Sequence, residues 1–251
     1  MEVSQVLEVA LRDLKRMWKY RWWLAGLVAM NLSDLFIMAA VFNGIVNRAL
    51  IPDYIRFVAP GITAIAIFAS SFSIGREVMM EIRRDVHHYL LSLPMRRREL
   101  LLGRAVGGTI RGLVYAIPFL ILLVAMEGFP DVETFAVAVL SLVLLAFSMS
   151  SLGIALSSIS KQMDVQATVR SLLYFVLFFF STVFYPRRAL DQFLAVRVIS
   201  HYNPVSIVAD LLRASFGEGT MPTTDQLISL PLLSAVISAI GMLLYMRAMM
   251  R

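Results

Sequence analysis

The sequence predicts an all-α integral membrane protein, and three observations carry that prediction. Of its 251 residues, 59% are hydrophobic and only 16% are charged, against ~45–50% and ~25% in ordinary soluble domains. Mean hydropathy is +0.76, more apolar surface than a single core of this size can hide, so lipid must serve as solvent for much of it. The apolar residues also gather in six long continuous runs, where a membrane barrel would show ~10-residue alternating segments. Backbone polar groups in hydrocarbon must satisfy one another, which makes each run a helix.

The first element is a helix expected over 1–21, lying in the plane of the interface. Val3, Leu7, Leu11, Leu14 and Trp18 recur at steps of four and three, while Glu2, Glu8, Arg12, Asp13, Arg16 and Lys19 fill the other side. That is a narrow apolar stripe on an amphipathic helix. Five basic residues and a long apolar run behind them do not read as a signal peptide. Trp18, Trp22 and Trp23 stand where an aromatic belt belongs.

Six spans are expected at 22–46, 57–75, 105–126, 134–159, 170–185 and 227–246. Sixteen of the 23 Lys and Arg residues fall in 1–21, 76–104, 160–170 and 247–251. The positive-inside rule then puts both termini in the cytoplasm of a multi-pass protein of the cell membrane. It also accounts for the net charge of +6 without nucleic acid.

Two connections are too elaborate for tethers. In 76–104, Val78, Ile82, Val86, Tyr89 or Leu90, and Leu93 line one helical face, rimmed by Glu77, Glu81, Arg83, Arg84, Asp85, His87 and His88. Pro94 disfavours helix at Leu93, and the triplet Arg96-Arg97-Arg98 follows. A solvated loop is one reading; a helix over 77–93 that docks in a groove of a cytoplasmic partner is the other. The second is 186–217, on the outer side. Asn203 reads as an N-cap with Pro204 at the first helical position, and Ile207, Val208, Leu211, Leu212 and Phe216 form an apolar face ended by Gly217. Two short re-entrant helices suit so apolar a stretch better than an ordinary surface helix.

Polar residues at membrane depth form a third group. Asp34 lies near the middle of the first span with Asn31, Ser33 and Asn43. A charge there costs at least ~2.5–3.5 kcal/mol, so it should face protein or water: a pathway residue, or a structural pair across helices. Arg111, in the third span, can snorkel to the cytoplasmic face. Phe175 and Phe179, in a cluster with Tyr174, Phe178 and Phe180, can serve as packing or as a passenger surface.

Several chemistries are excluded. There is no cysteine, hence no disulfide or thiolate metal site. A phosphate loop needs Gly-Lys-Ser/Thr, and none of Lys15, Lys19 or Lys161 follows a glycine. His87, His88 and His201 lack a metal-binding spacing, and no nucleophile elbow is present. The chain is expected to be non-catalytic, with no metal or cofactor of its own.

In this order the segments resemble the permease subunit of type-2 ATP-binding-cassette (ABC) exporters, the branch that carries drugs, polysaccharides and lipids. The likeness rests on the interfacial helix, the Glu-rich stretch from Arg76 to Arg84, the run Leu91-Ser92-Leu93-Pro94 with its basic triplet, and Asn203-Pro204 with Arg213 before the last span. It implies two copies of this permease, or one with a paralogue, assembled with two copies of a cytoplasmic ABC ATPase that binds ATP and magnesium. It gives Glu77, Val78, Glu81, Ile82, Arg84, Asp85, Tyr89 and Leu93 a role in docking the ATPase. Asn31, Asp34, Phe175 and Phe179 would border the pathway. One departure stands out: polysaccharide exporters of this branch tend to carry an aromatic-lined channel, whereas this chain's aromatics are mostly Phe rather than Tyr or Trp, which suits an amphipathic or lipid-linked passenger better than a sugar. An ion-coupled transporter with Asp34 as its protonatable site is the alternative, and it predicts a symmetry between halves that the sequence does not display. A membrane scaffold without transport is a third.

Overall fold

The computed structural model describes all residues except 1–2, 43, 47–50, 93–94, 160–161, 191, 220 and 249–251. Among the described residues every regular element is helical. In chain order these are α1 (Val3–Lys19), α2 (Arg21–Phe42), α3 (Tyr54–Phe72), α4 (Ile74–Arg83), α5 (Val86–Ser92), α6 (Arg97–Glu127), α7 (Val132–Ile159), α8 (Met163–Phe179), α9 (Arg187–Leu190), α10 (Leu194–Tyr202), α11 (Pro204–Ser215) and α12 (Thr224–Ala248). Five helices are long and apolar enough to cross a membrane: α2, α3 with α4, α6, α7 and α12.

α3 is the axis. Asp53 caps its start by accepting from the Ile55 and Arg56 amides at 3.0 and 3.3 Å, and nearly every residue beyond Phe57 is buried. α6, α7 and α11 pack around it, α1 lies along α6, and α12 lies along α7. Hydrocarbon gives helices no hydrophobic reason to associate, so close approach of small residues has to hold them. The glycines of α6 serve that need on two faces. A β-carbon at Gly103 would sit 2.6 Å from Val9 Cβ, and one at Gly107 3.3 Å from Asp13 Cβ, so α1 rests directly on this backbone. Gly108 and Gly112 face Ser150 of α7 and Ser71 of α3, with no room for a side chain. At the α3–α4 junction, Gly75 meets the Gly153 carbonyl of α7 just as closely.

The structure departs from the expected arrangement in one helix face and in several boundaries. The stripe Leu7, Leu11 and Trp18 on α1 faces away from the protein, while Val9, Ala10, Asp13 and Met17 form the inner face. Small residues pack on glycine better than the larger stripe, which stays free for lipid. The helix expected over 77–93 is two helices: α4 runs on from α3, and the chain turns at Arg84 and Asp85, the latter at φ +55°. The fifth expected span is helical only to Phe179. At 17 residues α8 rises ~25 Å, short of a ~30 Å hydrocarbon core. The α6–α7 turn is pinned by Asp131, whose carboxylate accepts from the Thr134 amide (3.0 Å) and hydroxyl (2.7 Å); these bonds hold it below the ordinary carboxylate range.

Candidate functional site

Two polar constellations stand at opposite ends of the bundle. The first joins α1, α4 and α6. Glu77 and Glu81, one turn apart on α4, face inward. Glu81 accepts from Arg16 Nη1 at 2.8 Å and from Arg12 Nη2 at 3.4 Å, and is paired with Arg104 of α6. Glu77 is paired with Arg111 of α6, and Arg16 Nε lies 3.8 Å from its other oxygen. Arg12 also grips Asp13 Oδ1 at 2.8 Å. Arg104 is 1% exposed and its partner Glu81 is buried too, so these two charges depend on each other; removing one partner of a buried pair costs ~3–5 kcal/mol. Burial pushes the Asp13 carboxyl above its ordinary range, against the pull of Arg12 and Arg104. Arg111 therefore finds a carboxylate rather than snorkelling to water.

This placement divides the expected docking residues. Val78 is fully buried, Glu77 and Glu81 are engaged within the chain, and Ile82 packs on a small cluster with Ile74, Leu101 and Tyr245. Arg84 and Asp85 are exposed at the turn. Beyond them α5 presents Tyr89 at 66% and Val86 at 37% exposure. Leu93 lies outside the described residues. What α4 and α5 offer a partner is thus the turn and the outer face of α5.

The second constellation is an elbow where α8 gives way to irregular chain. Ser181, Thr182, Val183 and Phe184 are buried without being helical, so their backbone groups need other partners. α11 supplies them. Asn203 accepts from the Val205 amide at 3.0 Å, capping α11, and its Nδ2 donates to the Leu177 and Phe180 carbonyls at 3.0 and 3.1 Å, closing α8. Pro204 sits at the first helical position, where its missing N–H costs nothing. The Thr182 amide donates to Ser206 Oγ (3.0 Å), and its hydroxyl to Asp210 Oδ1 (2.9 Å). Arg213 donates to the carbonyls of Phe57 (2.8 Å) and Val183 (3.0 Å) and to Asp210 Oδ1 (2.7 Å). Its guanidinium stacks 3.9 Å over the Phe57 ring, a favourable cation–π arrangement. Arg187 closes the group on Asp210 Oδ2 at 2.5 Å. Tyr54 completes it by donating to the Phe184 carbonyl at 3.2 Å.

The residues expected along a pathway are not gathered in one place. Asn31 is buried and donates to the Tyr115 hydroxyl at 2.9 Å, tying α2 to α6. Asp34, one turn on, is partly exposed and makes no hydrogen bond or ion pair among the described residues. Its carboxylate lies within electrostatic range of Tyr115 and Tyr174. Phe175 and Phe179 lean on each other at 4.7 Å and are 51% and 45% exposed on α8. Asn43 lies outside the described residues.

Sequence reasoning missed Arg12, Arg16, Arg104 and Asp13 as members of the first constellation, and Thr182, Ser206 and Asp210 as members of the second. A signal for the first was present: Arg12 and Arg16 are four apart, Glu77 and Glu81 four apart, and Arg104 and Arg111 seven apart, each set on one helical face.

A search among curated proteins gave no match. The family model described as ABC-2 type transporter matches residues 4–216, a stretch from α1 through α11 that includes both constellations. With its all-helical, multi-pass architecture and a match over most of its length, the chain belongs to the ABC-2 type transporter family, as a membrane permease component.

Proposed function

We propose that this chain is the membrane half of an export system, acting as two copies joined to two copies of a cytoplasmic ATPase, and that it moves an amphipathic or lipid-linked passenger outward. ATP and magnesium belong to the ATPase; the permease contributes motion and a path. The observation that carries this reading is the turn at Arg84 and Asp85, which ends an almost continuous α3–α4 rod and leaves Tyr89 and Val86 of α5 uncovered. An aromatic and an aliphatic side chain rimmed by charge suit a groove on a partner. Displacement of α5 reaches the bundle axis through α4, which is bound to α1 and α6 by the Glu77 and Glu81 pairs. Orientation follows from the arginines at this end. The exposed faces of α2 and α8, with Asp34, Phe175 and Phe179, are those that a second copy and the passenger would meet.

The test is co-purification of the tagged chain from its native membranes, followed by transport-linked ATP hydrolysis. Tyr89→Asp is expected to lose the ATPase subunit while leaving the permease folded. Glu81→Lys is expected to lower its thermal stability instead, by about 3–5 kcal/mol, because it breaks a buried pair. An ATPase subunit retained by Tyr89→Asp with hydrolysis still coupled would overturn the docking role. The ion-coupled alternative rests on the unpaired Asp34 and predicts transport with no ATPase subunit in the complex.

A further inference from the structure

The α4–α5 end carries a second feature, beside the ion pairs and the exposed turn. A cavity of about 290 Å³ opens where the α1–α2 turn meets the α3–α4 junction. Arg16, Arg76, Arg84 and Arg111 line it with Tyr20, and Glu77 is its one carboxylate. Glu77 is already neutralised by Arg111 and lies 3.8 Å from Arg16. Arg76 and Arg84 are exposed and pair with no acid among the described residues. Two uncommitted guanidinium groups thus face a pocket whose own acid is spoken for.

Guanidinium forks match the paired oxygens of a phosphate, and such bonds are among the stronger ones a protein makes. The depth fits too. α1 is amphipathic with its apolar stripe turned outward, the candidate spans are α2 and α3 continued by α4, and the cavity lies beside the start of α2 and the last turns of α4, which reach the level of lipid headgroups. Tyr20, 57% exposed in the turn between α1 and α2, is of the type that favours this level. We propose that the cavity is a binding site for a phosphate group, held chiefly by Arg76 and Arg84, and that an anionic phospholipid headgroup is its natural source. Free phosphate shares the chemistry and is distinguished by the test.

The full-length chain is purified in detergent and titrated, by native mass spectrometry, with phosphatidylglycerol, phosphatidylcholine and inorganic phosphate. Binding is read on the permease alone, so the result does not depend on the passenger or the ATPase. Phosphatidylglycerol is expected to bind the unmodified chain more tightly than phosphatidylcholine. Arg76→Gln with Arg84→Gln is expected to weaken it about tenfold, the loss of roughly one charge-assisted hydrogen bond. Arg97→Gln with Arg98→Gln removes the same charge from exposed positions outside the cavity and should leave binding unchanged. Inorganic phosphate displacing the lipid, with the same dependence on Arg76 and Arg84, would keep the site and make free phosphate its source. Equal lipid affinity in the unmodified chain and the Arg76/Arg84 variant would overturn the proposal. So would equal weakening in both double variants, or phosphatidylcholine binding as tightly as phosphatidylglycerol.

Discussion

Asn203 closes two helix ends with one side chain, its oxygen on α11 and its nitrogen on α8. Aspartate keeps the first bond and loses the second, so Asn203→Asp separates the two functions. It is expected to leave the Leu177 and Phe180 carbonyls unmet inside the protein, at about 1–3 kcal/mol, while Asn203→Ala loses the cap as well, about 1 kcal/mol more. Thermal unfolding in detergent ranks the two; equal losses would mean that the cap oxygen contributes nothing, and an unchanged Asn203→Asp would mean that α8 does not use the amide. Asp13 gives a residue-scale pH dependence. Burial raises its pKa above the ordinary 3.8, so the folded protein holds this proton more firmly than the unfolded chain. The contribution to stability is therefore greatest at low pH and falls as pH rises from 3.8 through the folded value. Asp13→Asn is expected to flatten that part of the stability profile, with the melting temperature followed across the acid range as the check.

Among the elements, α6 and the α3–α4 rod depend on backbone approach rather than on side-chain volume. Gly75 faces the Gly153 carbonyl with no space for a methyl group, and backbone cannot swing aside as a side chain can. Gly75→Ala is expected to push α4 from α7 and cost about 1–3 kcal/mol or more. Gly26, in α2, has nothing within 4 Å, and Gly26→Ala should be neutral or gain up to about 1 kcal/mol of helix propensity. Comparison of the two melting temperatures decides the matter. The sequence showed where most helices lie because composition reports contact with lipid. It did not show where α8 ends, because Phe180, Val183, Phe184 and Tyr185 continue its apolar run and hydropathy registers burial rather than helicity. The partners that let the chain unwind there, Ser206, Asp210 and Arg213, lie more than twenty residues away. Likewise Glu77 and Glu81 were legible as neighbours on one helix, but as a rim facing outward. That they meet Arg104 and Arg111 follows from α4 and α6 both packing on α7, with the long arginine side chains reaching across, which is a property of packing.

At the scale of the whole molecule, charge and apolar surface are sorted by end and by face. One end gathers α1, α4, α5 and the arginines of α6; the other gathers α9, α10, α11 and the α6–α7 turn. α2, α8 and α12 leave much apolar surface uncovered, with Phe36, Leu172 and Leu232 each more than half exposed, as a protein in lipid requires. The absence of native cysteine allows a direct check of orientation. Arg84→Cys at the α4–α5 turn and Phe129→Cys in the α6–α7 turn, where Phe129 is 94% exposed, should react with a membrane-impermeant thiol reagent from opposite sides. In intact cells Phe129→Cys is expected to label and Arg84→Cys only after permeabilisation. The reverse pattern would invert the arrangement of the termini.

The three-helix ion cluster has a consequence for how the chain comes off the ribosome. Arg12 and Arg16 are made first, Glu77 and Glu81 sixty residues or so later, and Arg104 and Arg111 last. Until the final pair arrives, the two glutamates have only the α1 arginines, and Arg104 and Arg111 in turn enter beside acids already waiting. The charges that make the third span awkward to insert on its own are thus met by groups laid down before it. Insertion of that span and completion of the cluster become one step in the life of the nascent protein.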